Sequence, residues 1–211
     1  MARAPAAFRP PSSEMKRIAL TGGIACGKSA FAGFLAGMGA EVLDTDEVVH
    51  ALEGPGGGAV AAIVDAFGPD ARAADGGVDR RWLGRRVFAD PASRERLNAI
   101  VHPLVQRTME AWLARPGGGV RVAVVPLLFE VGWDLAGWDA VVCVACGPET
   151  QTRRLGARGL APDEIRGRLA AQLPLAEKTR RAGRVVWNDG SLDDLRREAR
   201  RLMDEWMERP T

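Results

Sequence analysis

The sequence predicts an α/β fold in which a parallel sheet is interrupted by a helical insertion, and three observations carry that expectation. An apolar strand at Lys16–Thr21 runs into a Gly-rich turn, a helix from Lys28 to about Met38, and a second strand at Glu41–Leu43. A strand, a helix and a strand within about thirty residues make a βαβ unit, which commits the chain to a parallel sheet with a right-handed crossover. From Asp46 to Arg115 only helical patterns appear, and strand patterns then return at Val120–Val125, Ala140–Ala145 and Arg184–Trp187.

The elements follow in order. Met1–Glu14 is rich in Ala, Pro and Ser and reads as a disordered tail, with Met15 directly before the first strand as an alternative start. The first helix carries Phe31, Phe34, Leu35 and Met38 at helical spacing and is closed by Gly39. Inside the insertion, helices are expected at Glu47–Leu52, Ala59–Phe67, Arg80–Phe88 and Pro91–Ala114, the last with a local interruption where Pro103 lacks an N–H. An arginine-rich helical stretch spans Glu149–Ala182. The turn Asn188–Ser191 then hands over to a last helix, Leu192–Met207, with Ser191 as its N-cap.

Composition narrows the function. The chain has 211 residues, 46% apolar and 27% charged, enough for a folded, soluble α/β domain. Its 29 basic and 27 acidic residues nearly cancel, which argues against a nucleic-acid binder and points to small-molecule partners. No apolar run approaches the ~20 residues that cross a bilayer. Cys26, Cys143 and Cys146 cannot build a disulfide framework, so a reducing cytoplasm is expected. Only Lys16, Lys28 and Lys178 are lysines; all other basic residues are arginine, which reads as a codon bias.

The strongest chemical signal is Gly22-Gly23-Ile24-Ala25-Cys26-Gly27-Lys28-Ser29, which fits G-x-x-x-x-G-K-[ST] and lies between a strand and a helix, where that motif must lie. Its glycines let backbone N–H groups close around phosphate oxygens, and the positive end of the following helix adds to the attraction. Lys28 is placed to neutralise the β and γ phosphates of ATP, and the Ser29 hydroxyl to hold Mg²⁺. The fold is therefore expected to be that of a P-loop NTPase. A dinucleotide fold is the nearer rival, because Asp44 follows at the distance of a ribose-binding carboxylate, but the glycines do not fit G-x-G-x-x-G.

Asp44-Thr45-Asp46 follows the second strand, at the carboxyl end of the sheet. Transfer of a phosphoryl group to a hydroxyl needs a carboxylate to take its proton, and Mg²⁺ needs oxygen ligands, so either Asp serves; a plain helix cap is the competing reading.

These motifs occur in one order with His102-Pro103, Pro126-Leu127-Leu128-Phe129-Glu130, Gln151-x-x-Arg154-x-x-x-Arg158 and Asn188-x-Gly190, and together they resemble the dephospho-coenzyme A kinase family from about Met15 to Met207. The resemblance implies transfer of the ATP γ-phosphate to the ribose 3′-hydroxyl of dephospho-CoA, the last step of coenzyme A synthesis. It further implies a core of residues 15–45, 116–148 and 183–211, a substrate-binding insertion at 46–115 and a lid at 149–182. Asp46 becomes the candidate base and Asp44 a candidate Mg²⁺ ligand beside Ser29. Arg154 and Arg158 become catalytic candidates with Lys28, since lid arginines stabilise the charge of a phosphoryl group in flight. Nucleotide contacts are implied for Gly22, Gly23, Ala25, Cys26, Gly27, Lys28, Ser29, Ala30 and Asn188. The partner implied is dephospho-CoA alone, with no nucleic acid and no membrane, on a monomer or weak homo-oligomer.

The chain departs from the family pattern at three positions: Ala25 where Gly is usual, Gly183 where Asp is usual, and Pro174 within the lid. His102 reads as a structural residue at a helix break, and neither it nor His50 reads as catalytic. Leu127, Leu128 and Phe129 either pack on a ligand or form ordinary core, and the role of Glu130 stays open. Cys143 and Cys146 lack a second pair for zinc and read as core, whereas Cys26, at a helix N-terminus, is expected to have a lowered pKa. A different small-metabolite or nucleoside monophosphate kinase is the alternative enzyme. A nucleotide-dependent switch would require an N-K-x-D tetrapeptide, and the sequence has none.

Overall fold

The computed structural model describes residues 15–208, so the expected tail at 1–14 lies outside the described residues. In chain order the elements are β1 (Met15–Gly22), α1 (Lys28–Gly37), β2 (Glu41–Asp44), α2 (Thr45–Glu53), α3 (Val60–Phe67), α4 (Arg80–Ala89), α5 (Pro91–Leu113), β3 (Gly119–Val124), β4 (Ala140–Ala145), α6 (Pro148–Gly156), α7 (Pro162–Ala170), α8 (Leu175–Arg181), β5 (Arg184–Trp187) and α9 (Leu192–Met207). A 3₁₀ turn at Pro69–Ala71 was not expected from the sequence. The chain divides into two compact units, one from the residues up to Leu43 together with those from Pro116 onward, the other Asp44–Arg115.

The first unit is built on a five-stranded sheet of order β2-β3-β1-β4-β5. β1 pairs in parallel with β3 and with β4, and β4 with β5. Strands covered on both faces carry near-continuous apolar runs, and β1 from Ile18, β3 from Val120 and β4 from Val141 are buried throughout. Phe31 and Leu35 of α1 and Leu195, Ala199 and Leu202 of α9 complete the same core as Ile18, Leu20, Val122 and Val142. Phe31 is fully buried, a contribution of about 1.5–3 kcal/mol for a side chain of that size. At the sheet edge the buried Arg121 of β3 donates to both carboxylate oxygens of Glu41 on β2, at 3.2 and 3.3 Å. Ser191 caps α9 and shares a capping box with Asp194, as its sequence predicts.

In the second unit, α5 runs unbroken through Pro103, so the expected interruption there is corrected. Pro103 denies Ala99 its usual N–H partner, yet Val101, Val105, Met109 and Trp112 are buried on both sides of it, and α5 packs against α2, α3 and α4. Burial of that face outweighs the one lost bond. α2 begins at Thr45, earlier than the periodicity suggests, because the Asp44 side chain accepts a 2.9 Å bond from the Asp46 N–H and caps it.

Candidate active site

β1 lies in the middle of the sheet, so the loop from Gly22 to Gly27 leaves the central strand at its carboxyl end and passes into α1. Two of its glycines are required by contact. A Cβ on Gly22 would sit 2.1 Å from the Val144 carbonyl oxygen, and one on Gly27 would sit 2.2 Å from Asn188 Nδ2, both at positive φ. Gly27 N-caps α1 without a side-chain bond, and the first turn holds no acidic residue, so the first amides of the helix keep an uncancelled positive end.

The loop is held from outside. Gln151 Nε2 donates to the Ile24 carbonyl at 2.9 Å, Arg154 NH1 to that of Ala25 at 3.3 Å, and Asn188 Nδ2 to that of Cys26 at 2.8 Å. In a trans peptide the N–H points away from the C=O, so pinning these carbonyls turns the amides of Ala25 and Gly27 to the opposite side. The Cys26 amide closes the turn on Gly23 O, and the Ile24 amide is taken by Gln172 Oε1 at 3.2 Å. Lys28 folds back over the loop, its Nζ donating to the carbonyls of Gly22 and Gly23 at 3.1 and 2.9 Å.

Ala25 has φ 59, the left-handed value that the sequence departure put in question. Its methyl packs with Leu155 and Ile165 in a small apolar cluster, which offsets part of the strain. Cys26 overturns the expectation of a lowered pKa: it is fully buried, and burial pushes its thiol up despite the hydrogen bond from Cys146, whose Sγ lies 3.4 Å away, and the nearby Lys28. Burial likewise pushes Cys143 up to about 11, and Cys146, for which the bond to Cys26 adds to burial, up to about 12.

The structure gathers Gly22, Gly23, Ala25, Cys26, Gly27, Lys28, Arg154 and Asn188 around one loop, with Ser29 exposed and Ala30 half-buried in the first turn of α1. Arg154 NH2 also reaches the Asn188 carbonyl at 2.9 Å, so its guanidinium is engaged with backbone. Arg158 lies on the exposed turn after α6 and holds no ion pair among the described residues. Asp44 and Asp46 belong to the other unit, Asp44 half-buried and Asp46 exposed. Among the described residues no cluster of three or more His, Cys, Asp or Glu could hold a metal. Of the Pro126–Glu130 segment, Leu128 and Phe129 are core, Leu127 is exposed, and Arg181 stacks 4.8 Å above the Phe129 ring.

In the second unit, His50 is tied to Arg80, which donates to its Nδ1 at 2.9 Å and its carbonyl at 2.7 Å. Arg80 also pairs with the buried Glu53 at 2.9 Å, and these three line a cleft of about 350 Å³ with Asp75, Gly77 and Val78. Burial raises the Glu53 pKa although Arg80 pulls it down. His102 is half-buried within α5, and burial lowers its pKa. Sequence reasoning missed Gln172 and Lys178; the latter is fully buried and paired with Glu130 at 2.7 Å.

A central strand of a parallel sheet, a glycine loop braced by its carbonyls, and a lysine at the mouth of an uncapped helix define a P-loop phosphotransferase fold. A sequence model of the dephospho-CoA kinase family matches residues 16–194, and the chain belongs to that family. It is 46% identical over 196 residues to the dephospho-CoA kinase of Bordetella parapertussis, covering 92% of each chain. Against that of Symbiobacterium thermophilum it is 48% identical over 187 residues, covering 86% of this chain and 77% of the relative. Among solved structures, TT1252 of Thermus thermophilus superposes with a TM-score of 0.77 at 37% identity, covering 92% of this chain and 98% of that one. Shikimate kinase of Acinetobacter baumannii, at TM-score 0.50 and 14% identity over 90% of this chain and 92% of its own, shares the fold alone.

Proposed function

We propose that the chain transfers the γ-phosphate of ATP to the ribose 3′-hydroxyl of dephospho-CoA, giving CoA and ADP. The observation that carries this reading is the Gly22–Ser29 loop, with the carbonyls of Ile24 to Cys26 pinned outward, in a chain of the dephospho-CoA kinase family. The amides of Ala25 and Gly27 and the open N-terminus of α1 take the phosphate oxygens, and Lys28 exchanges its two backbone carbonyls for the β and γ phosphates. Ala30, in the first turn, and Asn188, through Cys26, complete the nucleotide site.

Asp46 accepts the proton of the attacking hydroxyl, an assignment that its exposure supports. Ser29 and Asp44, whose Oδ1 accepts the α2 cap bond, are the residues that would hold Mg²⁺. When bound there, the cation would neutralise charge on the triphosphate. Arg158 stabilises the transferring group, and Arg154 acts on the nucleotide through the carbonyls it holds. Residues 46–115 form the substrate-binding insertion and 149–182 the lid. Three free cysteines fit a cytoplasmic enzyme, which we take to be monomeric or weakly self-associating.

The test is to incubate the protein with ATP, Mg²⁺ and dephospho-CoA and to follow CoA by chromatography. Lys28→Ala and Asp46→Asn are each expected to lower kcat/KM by about 100-fold or more, the cost of removing one preorganised charge-stabilising group. A wild type that phosphorylates another acceptor and leaves dephospho-CoA untouched would refute the acceptor, and full activity in both variants would refute the site.

A further inference from the structure

Lys178 of α8 has no exposed surface, yet it is an ammonium in a chain that otherwise uses arginine almost everywhere. Its Nζ lies 2.7 Å from Glu130 Oε1 and donates to the Pro126 carbonyl at 2.9 Å. That same carbonyl accepts the Thr21 hydroxyl at 3.3 Å, and Thr21 is the residue just before the phosphate loop. Glu130 Oε1 also accepts the Leu173 N–H at 3.0 Å, and the neighbouring Gln172 holds the Ile24 amide at the tip of the loop. Leu175 completes the contact, its Cδ1 3.4 Å from the place a Gly23 Cβ would occupy. One ion pair, with Lys178 fully buried and the Glu130 side chain 20% exposed, thus reaches both the entry and the tip of the loop, and fixes the segment 172–178 against it.

We propose that Lys178 and Glu130 are a positioning pair, which holds the phosphate loop and the C-terminal end of the lid in the register that phosphoryl transfer requires. The proposal rests on the phosphotransfer reading above. Taking the Lys178 ammonium from water is costly, and a well-packed apolar side chain commonly serves stability as well or better, so the worth of the pair lies in geometry. A compact ammonium with three donors serves Glu130 and Pro126 in a closed slot that a planar guanidinium fork would not fit. Neither residue touches the reacting atoms; both act through Thr21, Leu173 and Gln172.

The experiment separates positioning from stability. Lys178→Met is expected to lower the melting temperature, since it leaves the partly covered Glu130 carboxylate without its ammonium, and to lower kcat about 100-fold, the penalty of a displacement on the order of 1 Å. The double variant Lys178→Met/Glu130→Leu is expected to recover most of the melting temperature while kcat stays low and the Kd for a fluorescent ATP analogue stays raised several-fold. Glu130→Gln keeps an acceptor for Leu173 and removes only the charge; it is expected to fold normally and lose about tenfold in kcat. Return of activity and nucleotide affinity together with the melting temperature in the double variant would overturn the proposal, as would wild-type kcat in Glu130→Gln. The analogue binds without an acceptor. A wild type that uses another acceptor, with the same losses in the variants, would therefore refute dephospho-CoA and leave the pair standing.

Discussion

In the phosphate loop, the partners of Ile24, Ala25 and Cys26 lie 127, 129 and 162 residues away in sequence. In the Asp44–Arg115 unit, the bonds from Arg80 to His50 and from Arg96 to Ala66 each span only 30. The loop therefore takes its shape from the whole sheet unit, through α6, the α7–α8 turn and the residue after β5. The helical unit is held by its own caps, by the buried face of α5 and by short-range arginine bonds. A change in the helical unit is felt locally, whereas a change near the loop is transmitted to strands far away in sequence.

The largest effect expected from this contrast is at Gly22. Its Cβ would meet a backbone oxygen of β4 that cannot move aside, so Gly22→Ala is expected to cost about 3 kcal/mol or more, measured by urea unfolding. Gly27→Ala meets a side chain instead; the protein folds, but Asn188 is displaced from Cys26 and affinity for an ATP analogue falls about tenfold. Equal stability losses in the two variants would break the distinction between backbone and side-chain contacts.

Arg80→Met tests the other region. With Arg80 39% exposed, the expected loss is only about 1 kcal/mol, and the Kd for the ATP analogue stays within about twofold of wild type. The pH dependence has a definite sign. The folded pKa of Glu53 is already raised by burial, so its charged form costs stability above that pKa, and the cost disappears as pH falls through it. Removing Arg80 enlarges the cost, so the gap between variant and wild type is widest near neutral pH and closes on acidification, as thermal melts across pH 4 to 8 would reveal. A gap that widened in acid would show that Glu53 is not the group concerned.

The smallest effect is at Cys26. A thiol lowered by a helix N-terminus reacts quickly with iodoacetamide at pH 7, whereas one raised by burial does not. Alkylation of native Cys26 at pH 8, followed by mass spectrometry, is expected to be more than about tenfold slower than in the urea-unfolded chain.

The strands, the loop, α1 and the Ser191-capped α9 were legible because apolar runs, glycines and caps are local signals. Pro103 misled because proline is a strong local signal that the buried face of α5 overrides. Cys26 misled because the burial that raises its thiol comes from the packed sheet core and not from its place at the head of α1. Of the site, the loop and its lysine could be read directly, but the partners of the loop could not. Gln151 stood in a motif without a role, and Lys178 was noted only as one of three lysines. Its burial depends on Glu130 and Pro126, more than forty residues earlier in the chain, which no local pattern reveals.

Because Ile24, Ala25 and Cys26 have their acceptors committed before any ligand arrives, the cradle's order is settled when the chain folds. Docking of a polyphosphate then carries little further entropic penalty, and nothing in the cradle asks what hangs from the phosphate tail. Discrimination between one base and another must reside in other surfaces of the protein, and those surfaces are free to diverge without disturbing the grip on phosphate.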